Sequence, residues 1–121
     1  MPQFVYVGHT DNRIFGRAKN PYDQDRTCGG SSGGDGGLVA SRCVPFAIGT
    51  DIGGSIRSPA ACNGIIGFKP TSERGTCNGC IVPTAGYSWD QSPIISATGP
   101  LCNTVDDVKR YFTSLWTDRF L

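Results

Sequence analysis

Ten consecutive residues, CGGSSGGDGG (28–37), hold six glycines and two serines, and they constrain the fold more than any other part of the chain. Such a run forms either a flexible linker or a loop with backbone angles that only glycine adopts readily. A linker must join two folding units, but residues 1–27 contain too little apolar sequence to build a first unit. The sequence therefore predicts a structured loop inside one folding unit.

The composition excludes several classes of protein. A chain of 121 residues with a net charge of +1 and 17% charged residues fits one domain, without a basic stripe for nucleic acid or an acidic tail. The N-terminal residues do not resemble a signal peptide, and no apolar stretch is long enough to cross a bilayer. We therefore expect a cytoplasmic or peripherally membrane-associated chain, with its six cysteines as thiols.

One C-x-x-C motif, CNGC (77–80), raises the question of a metal site. A structural zinc site requires a second such pair or a pair of histidines. His9 is the only histidine of the chain. We interpret the motif as a turn that carries two thiols, and we expect no metal there.

Helix and strand signals alternate along the middle of the chain. In the first predicted helix, Asp35 lies near the positive N-terminus, and Pro45 prevents the helix from continuing. At the start of the last predicted helix, Thr104 and Asp107 match a capping box. Short apolar runs predict strands that are buried on both faces. This order predicts an α/β sheet with crossover connections. The predicted elements are a helix at 34–42, a strand at 45–50, a turn at 51–54, a helix at 55–63, a strand at 64–70, mostly loop at 71–100, and a last helix with Val105, Val108, Phe112, Leu115 and Trp116 at helical spacing.

Three familiar glycine motifs do not fit this sequence. A phosphate-binding loop needs a lysine after its last glycine, and a dinucleotide fingerprint needs a strand before it. The G-x-S-x-G nucleophile elbow is matched within residues 29–34 but requires a histidine downstream of the serine. No histidine follows His9. A Ser-His-Asp enzyme of that order is therefore excluded within this chain.

A second serine, Ser55, stands in FAIGTDIGGSIR (46–57), after a predicted strand and at a predicted helix start. Gly53 and Gly54 allow the backbone to bend so that successive N–H groups point into one small volume, as stabilisation of an oxyanion requires. The alternative is a tight turn in which Ser55 only caps the helix. The residues alone leave both interpretations open.

Several ordered motifs together resemble the amidase signature hydrolases. The hallmark blocks are GGSSGG (29–34), GTDIGGSIR (49–57) and GFKPT (67–71), with Ser31 and Ser55 24 positions apart. The flanking segments FGRAKNPYD (15–23) and SATGPLCNTVDDV (96–108) also match, so the resemblance covers nearly the whole chain. The pattern looks closest to the fatty acid amide hydrolase-like branch.

The resemblance implies a role for each serine. Ser55 would be the nucleophile, and Ser31, on a cis peptide bond after Gly30, would relay its proton. Ser32 would support that network. The base in this family is a lysine kept neutral by its surroundings, and it lies upstream of the glycine-rich loop. None of the chain's three lysines, Lys19, Lys69 and Lys109, matches that position.

The resemblance also assigns the residues around the nucleophile. Asp51 and Arg57 would brace the turn by hydrogen bonding without reacting. No metal or organic cofactor is implied. The backbone N–H groups expected to form the oxyanion hole are those of Ile52, Gly53, Gly54 and Ser55.

The implied fold is the central part of the amidase-signature fold, a mixed twisted β-sheet flanked by helices and truncated at both ends. We expect one partial domain over residues 1–121, with its signature core at about 28–71. The implied function is hydrolysis of a small amide with a fatty-acid or other hydrophobic acyl group. Two alternatives remain: a catalytically inactive remnant or scaffold, and a glycine-rich ligand-binding module. An exposed apolar sheet surface would favour homo-oligomers.

Overall fold

The computed structural model describes residues 1–2, 7–75 and 95–115, so the CNGC motif lies outside the described residues. Helices and short strands alternate along the middle of the chain, as the sequence predicts. The elements are β1 (Asp11–Asn12), β2 (Gly16–Arg17), α1 (Gly33–Ala40), β3 (Phe46–Asp51), α2 (Arg57–Asn63), β4 (Ile66–Gly67), β5 (Ala97–Cys102) and α3 (Val105–Leu115).

The main sheet has three strands in the order β3-β5-β4, and both neighbouring pairs are antiparallel. Strands β3 and β4 therefore run in the same direction, and α2 connects them as a crossover, which confirms the predicted α/β arrangement. Strands β1 and β2 form a separate antiparallel pair. None of the described helices is long and apolar enough to span a membrane.

The central strand β5 corrects the sequence prediction of mostly loop at 71–100. All six of its residues are buried, although Gly99 and Pro100 disfavour strands by propensity. Packing overrides that propensity. A Cβ atom at position 99 would collide with the Phe68 carbonyl oxygen, and the Phe68 N–H donates to the Pro100 oxygen at 3.0 Å. Glycine thus fits position 99 because Phe68 approaches the strand closely, and Pro100 takes part in the pairing through its carbonyl oxygen.

Strand β3 is buried on one face and not on both, which corrects a second prediction. Gly49 and Asp51 are buried, whereas Phe46 and Ile48 are 46% and 55% exposed. The buried face lies against the apolar core formed by Val39, Ile56, Ala60 and Leu101. On the opposite face Phe46 contacts Tyr111 of α3 edge-on, with ring centroids 6.1 Å apart.

The last helix begins as predicted, because Thr104 and Asp107 form the capping box. The Asp107 N–H donates to the Thr104 hydroxyl at 3.1 Å, and that hydroxyl donates to the Asp107 carboxylate at 2.6 Å. Its buried residues are Val108 and Tyr111. Val105 and Leu115, predicted to be part of the apolar face, are exposed at the two ends of α3, whereas Phe112 contacts Phe68. Trp116, predicted to belong to the same face, lies outside the described residues.

Candidate active site

Two helix N-termini bring the two predicted serine motifs together. Helix α1 begins directly after Ser32, and α2 begins two residues after Ser55. The Ser32 N–H donates to the Ser55 carbonyl at 3.2 Å, which joins the glycine-rich loop to the turn that carries Ser55. The Gly30–Ser31 peptide bond is cis. The structure therefore places the serines of both motifs at one location.

The hydroxyl of Ser31 is buried and has no hydrogen-bond partner within the described residues. Ser31 is 1% exposed, as is Ser32 beside it. Buried polar groups are nearly always hydrogen-bonded, and exceptions concentrate at functional sites. The Ser31 hydroxyl is therefore available for a partner that the described residues do not provide.

Ser55 is half-buried, and its hydroxyl makes no hydrogen bond within the described part of the chain. The sequence left open whether Ser55 merely caps α2. Ile56 occupies the N-cap position instead, without a side-chain cap bond. The Asp51 carboxylate takes over the capping role, because it accepts the N–H groups of Ile56 and Arg57 at 3.1 and 3.3 Å. The Ser55 hydroxyl is thereby left free for other chemistry.

Asp51 organises this turn through five hydrogen bonds. It is completely buried, and it accepts the Gly54 N–H at 2.7 Å together with Nε and Nη2 of Arg57 at 3.0 and 2.9 Å. Burial alone would raise the pKa of Asp51, but the hydrogen bonds from Arg57 and from the backbone of Ile56, Arg57 and Gly54 outweigh it and lower the pKa to about 2. Asp51 is therefore ionised at neutral pH, with its charge already engaged by Arg57.

The backbone N–H groups around Ser55 are not all available to a ligand. The Gly54 N–H is engaged by Asp51, so Gly54 is removed from the four expected oxyanion donors. The physical reason is that the buried carboxylate needs this donor to close the turn. Within the described residues the N–H groups of Ile52, Gly53 and Ser55 have no partner. A Cβ atom built on Gly53 would meet no atom within 4 Å, so the backbone is open to a ligand there.

No lysine in the described part of the chain hydrogen-bonds to Ser31 or Ser55. Lys69 donates to the Pro70 carbonyl at 3.1 Å, and Lys109 pairs with Asp106 at 3.0 Å on the exposed side of α3. Lys19 is exposed. None of the three lysines is therefore assigned a contact with either serine.

Two residues that sequence reasoning missed hold the loop in place. Asn63 is 1% exposed, and its Nδ2 donates to the Cys28 and Pro59 carbonyls, both at 2.8 Å. Thr10 hydrogen-bonds to the same loop from the other side. The contacts of Thr10 and Asn63 with the loop join residues 19 to 35 positions apart, and no sequence motif indicates them. Within the described residues, no cluster of histidine, cysteine and acidic side chains could hold a metal ion.

The four described cysteines, Cys28, Cys43, Cys62 and Cys102, are free thiols. The thiol of Cys28, directly before the glycine run, is buried and donates to the Lys19 carbonyl at 2.8 Å. Burial, with a smaller contribution from Cys62, raises its pKa above the ordinary value. Cys28 is therefore an uncharged packing residue.

With this geometry in place, comparison with known proteins assigns the chain to a family. The family model described as Amidase matches residues 1–119. This chain belongs to the amidase family. The solved structure of fatty acid amide hydrolase aligns with a TM-score of 0.89 and 32% identity, covering 98% of this chain and 20% of that one. The predicted α/β fold is thus confirmed as part of the amidase fold.

Curated relatives show the same match in sequence. Indoleacetamide hydrolase of Bradyrhizobium diazoefficiens is 45% identical over an alignment 112 positions long that covers 89% of this chain and 20% of that protein. Acetamidase of Aspergillus oryzae is 41% identical over 115 residues, which are 95% of this chain and 20% of that protein. The chain thus spans about a fifth of the length of these relatives. Their names cover different amides, so the comparisons do not single out the fatty acid amide hydrolase-like branch.

Proposed function

We propose that this chain carries the reacting serines of an amide-hydrolysing enzyme, with Ser55 as nucleophile and Ser31 as proton relay. The proposal rests on one observation about two neighbouring loops. The Ser32–Ser55 backbone hydrogen bond joins these loops, and each contains a serine, Ser31 or Ser55, whose hydroxyl has no hydrogen-bond partner in the described residues. Two helix N-termini meet at this point, which favours the negative charge that develops during acyl transfer.

In the proposed mechanism the Ser55 oxygen attacks the amide carbonyl carbon. Its proton passes to the Ser31 oxygen while the Ser31 proton passes to a base. The tetrahedral intermediate then expels the amine, which receives a proton back through Ser31. Water attacks the remaining acyl ester and regenerates Ser55. Since Ser31 is buried, its hydroxyl exchanges protons only with groups that contact it inside the protein.

The negative oxygen of the intermediate is assigned to the N–H groups of Ile52, Gly53 and Ser55. Gly54 instead shapes the turn, because its φ of +133° favours glycine and its N–H binds Asp51. Asp51 and Arg57 brace the turn. The absence of a side chain at Gly53 leaves room for the substrate carbonyl to approach.

The base of the proposed mechanism is a lysine, and none of Lys19, Lys69 and Lys109 hydrogen-bonds to Ser31 or Ser55 within the described residues. Because no lysine in the described part of the chain hydrogen-bonds to the two serines, a second candidate function remains. The chain would then be a catalytically inactive remnant or scaffold with the same fold. The two functions differ in whether Ser55 reacts. For an active enzyme we propose a substrate with a hydrophobic acyl group, which is supported by the TM-score of 0.89 with fatty acid amide hydrolase.

A fluorophosphonate probe, which phosphonylates activated serines, tests the assignment. We expect labelling of Ser55 in the wild-type protein that contains these residues together with the lysine base, none in its Ser55→Ala variant, and a rate at least about 100-fold lower in Ser31→Ala. The control is Ser58→Ala, because Ser58 is an exposed serine three residues from Ser55 on α2. Labelling of the control should equal that of the wild type. Labelling of Ser55 in residues 1–121 alone contradicts the remnant, whereas no labelling when the lysine base is present contradicts an active enzyme and supports the remnant.

A substrate panel tests the acyl preference separately. Hydrolysis of a long-chain fatty acyl amide, indole-3-acetamide and acetamide is compared by amine release, with Ser55→Ala as the blank. We expect the highest kcat/KM for the long-chain amide. A preference for acetamide would contradict the hydrophobic substrate while leaving the serine assignment intact.

A further inference from the structure

Thr10 contacts both sides of the Gly30–Ser31 peptide through one hydroxyl group. The side chain is buried, with 3% of the residue exposed. Its hydroxyl donates to the Gly29 carbonyl at 3.0 Å and lies 3.3 Å from the Ser31 carbonyl, so the two oxygens share one proton. The same oxygen accepts the Gly33 N–H at 3.0 Å. Three backbone groups of the loop are therefore fixed by a residue about twenty positions upstream.

This contact also solves a capping problem for α1. The first N–H groups of a helix need partners outside the helix. Ser32 occupies the N-cap position but makes no side-chain cap bond. Thr10 supplies the missing acceptor to Gly33, the first helical residue. A Cβ atom at position 33 would collide with Thr10 Oγ1, so only glycine permits this approach.

Thr10 is itself fixed from its other side. The Ala18 N–H donates to the Thr10 carbonyl at 2.9 Å, next to the β1–β2 pair. The preceding backbone packs directly on the loop, because a Cβ atom at Gly30 would collide with the Val7 carbonyl and lie 2.7 Å from the His9 nitrogen. The segment 7–10 therefore packs directly against the loop at Gly30.

We propose that Thr10 is a positioning residue for Ser31. It holds the Ser31 backbone at the distance from Ser55 that proton relay requires, and it leaves the Ser31 hydroxyl unoccupied because it provides the cap of α1 itself. This inference rests on the proposed function of Ser31 and Ser55. Thr10 contacts no reacting atom and acts only through the loop.

The first test compares three variants by their rate of fluorophosphonate labelling at Ser55, resolved into probe affinity and maximal rate. Thr10→Val removes the hydroxyl at nearly constant shape, Thr10→Ser retains it, and Thr104→Val removes the cap of α3 as a matched control. We expect Thr10→Val to lower the maximal rate about 10- to 100-fold with unchanged probe affinity. Thr10→Ser should restore most of the rate, and Thr104→Val should label like the wild type.

The second test does not depend on reactivity. Amide hydrogen exchange at Gly33 and Ser32 is measured by NMR, and Thr10→Val should accelerate it about 10-fold at both sites, as loss of one hydrogen bond predicts. Thr104→Val should not change it. Thr10→Ala provides a second hydroxyl-free variant if Thr10→Val does not fold.

The outcomes separate the two proposals. The positioning role is overturned if amide exchange in Thr10→Val is as slow as in the wild type. It is also overturned if the exchange is faster but the rate of labelling is unchanged. An equal loss of labelling in Thr104→Val overturns it as well, because that loss would reflect stability alone. If the wild type is not labelled, the hydrolase function fails, and amide exchange alone then decides whether Thr10 holds the loop.

Discussion

The Asp51 carboxylate shows how one side chain can prepare a turn for chemistry without reacting. The carboxylate is fully buried, and it accepts hydrogen bonds from three backbone N–H groups and from two guanidinium N–H groups of Arg57. Removing one partner of such a group leaves the others unsatisfied, which costs more than the bond itself contributes. Thr10 plays the corresponding role for α1. In both cases a residue outside the helix provides the cap, and the serine near the helix start keeps its hydroxyl free.

Asp51→Asn tests this role through stability. We expect the free energy of unfolding in urea to fall by about 2 kcal/mol, because the amide cannot accept all five bonds. Arg57 is 55% exposed, so solvent screens the ion pair and the buried backbone donors account for most of the loss. The matched control is Asp106→Asn, which removes an ion pair whose partners are 72% and 74% exposed. A loss in the control as large as that in Asp51→Asn would contradict the argument.

The pKa of Asp51 predicts a pH dependence of stability. Because folding lowers this pKa from 3.8 to about 2, the unfolded chain binds the proton more tightly than the folded one. The contribution is therefore complete above about pH 5 and is lost as the pH falls from about 4 to 2. Urea unfolding at several pH values should show this decline in the wild type and a smaller one in Asp51→Asn. Identical slopes would contradict the prediction.

At the site, the sequence predicted the residues that lie within ordered motifs. It did not predict the residues that reach the site through contacts between distant segments. Asp51, Arg57 and the two serine loops lie within blocks of fixed spacing, so their proximity could be expected. Thr10 and Asn63 lie outside those blocks, and their hydrogen bonds depend on how separate segments pack. The Gly54 N–H could not be assigned either, because its partner is set by the geometry of the turn.

Among the elements, local signals predicted helices better than strands. The Thr104–Asp107 capping box gave the start of α3, and the glycine run followed by Leu38 and Val39 gave α1 to within two residues. Strand β5 was missed because Gly99 and Pro100 are typical of loops. Their place in the sheet depends on the close approach of Phe68, which no local signal encodes.

Two glycines of helix α1, Gly34 and Gly36, differ in how closely they pack against neighbouring residues. Gly36 faces α2, and a Cβ atom there would lie 3.0 Å from Asn63 Nδ2 and 3.2 Å from Pro59 Cβ. Gly34 has only ordinary contacts at 3.9 and 4.0 Å. Gly34→Ala should therefore raise the free energy of unfolding by about 0.5 to 1 kcal/mol through helix propensity. Gly36→Ala should lower it by about 1 kcal/mol, because Asn63 must move.

Thermal and urea unfolding of both alanine variants check this pair. The two substitutions are chemically identical and two positions apart on one helix, so their difference isolates the packing against α2. Equal stabilisation by both would mean that α1 and α2 are not in close contact at Gly36.

On the scale of the whole molecule, the described chain has one well-covered sheet face and one partly covered face. Helices α1 and α2 supply the core residues on the first. On the second, α3 contacts Phe46 and Phe68 through Tyr111 and Phe112, yet both phenylalanines remain about half exposed. Strands β3 and β4 are the outer strands of the described sheet. An apolar face beside unpaired strand edges favours association between chains.

We therefore predict that residues 1–121, expressed as such, associate through the face that contains Ile48, which is 55% exposed on β3. Ile48→Thr keeps a β-branched residue on the strand but removes apolar area, so it should raise the concentration needed for association about 10-fold. Sedimentation velocity across a concentration series measures this shift. Val105→Thr, at a 57% exposed position on α3, is the control and should associate like the wild type. If both variants behave alike, association occurs elsewhere, and if the wild type stays monomeric at every concentration, the half-covered face does not drive association at all.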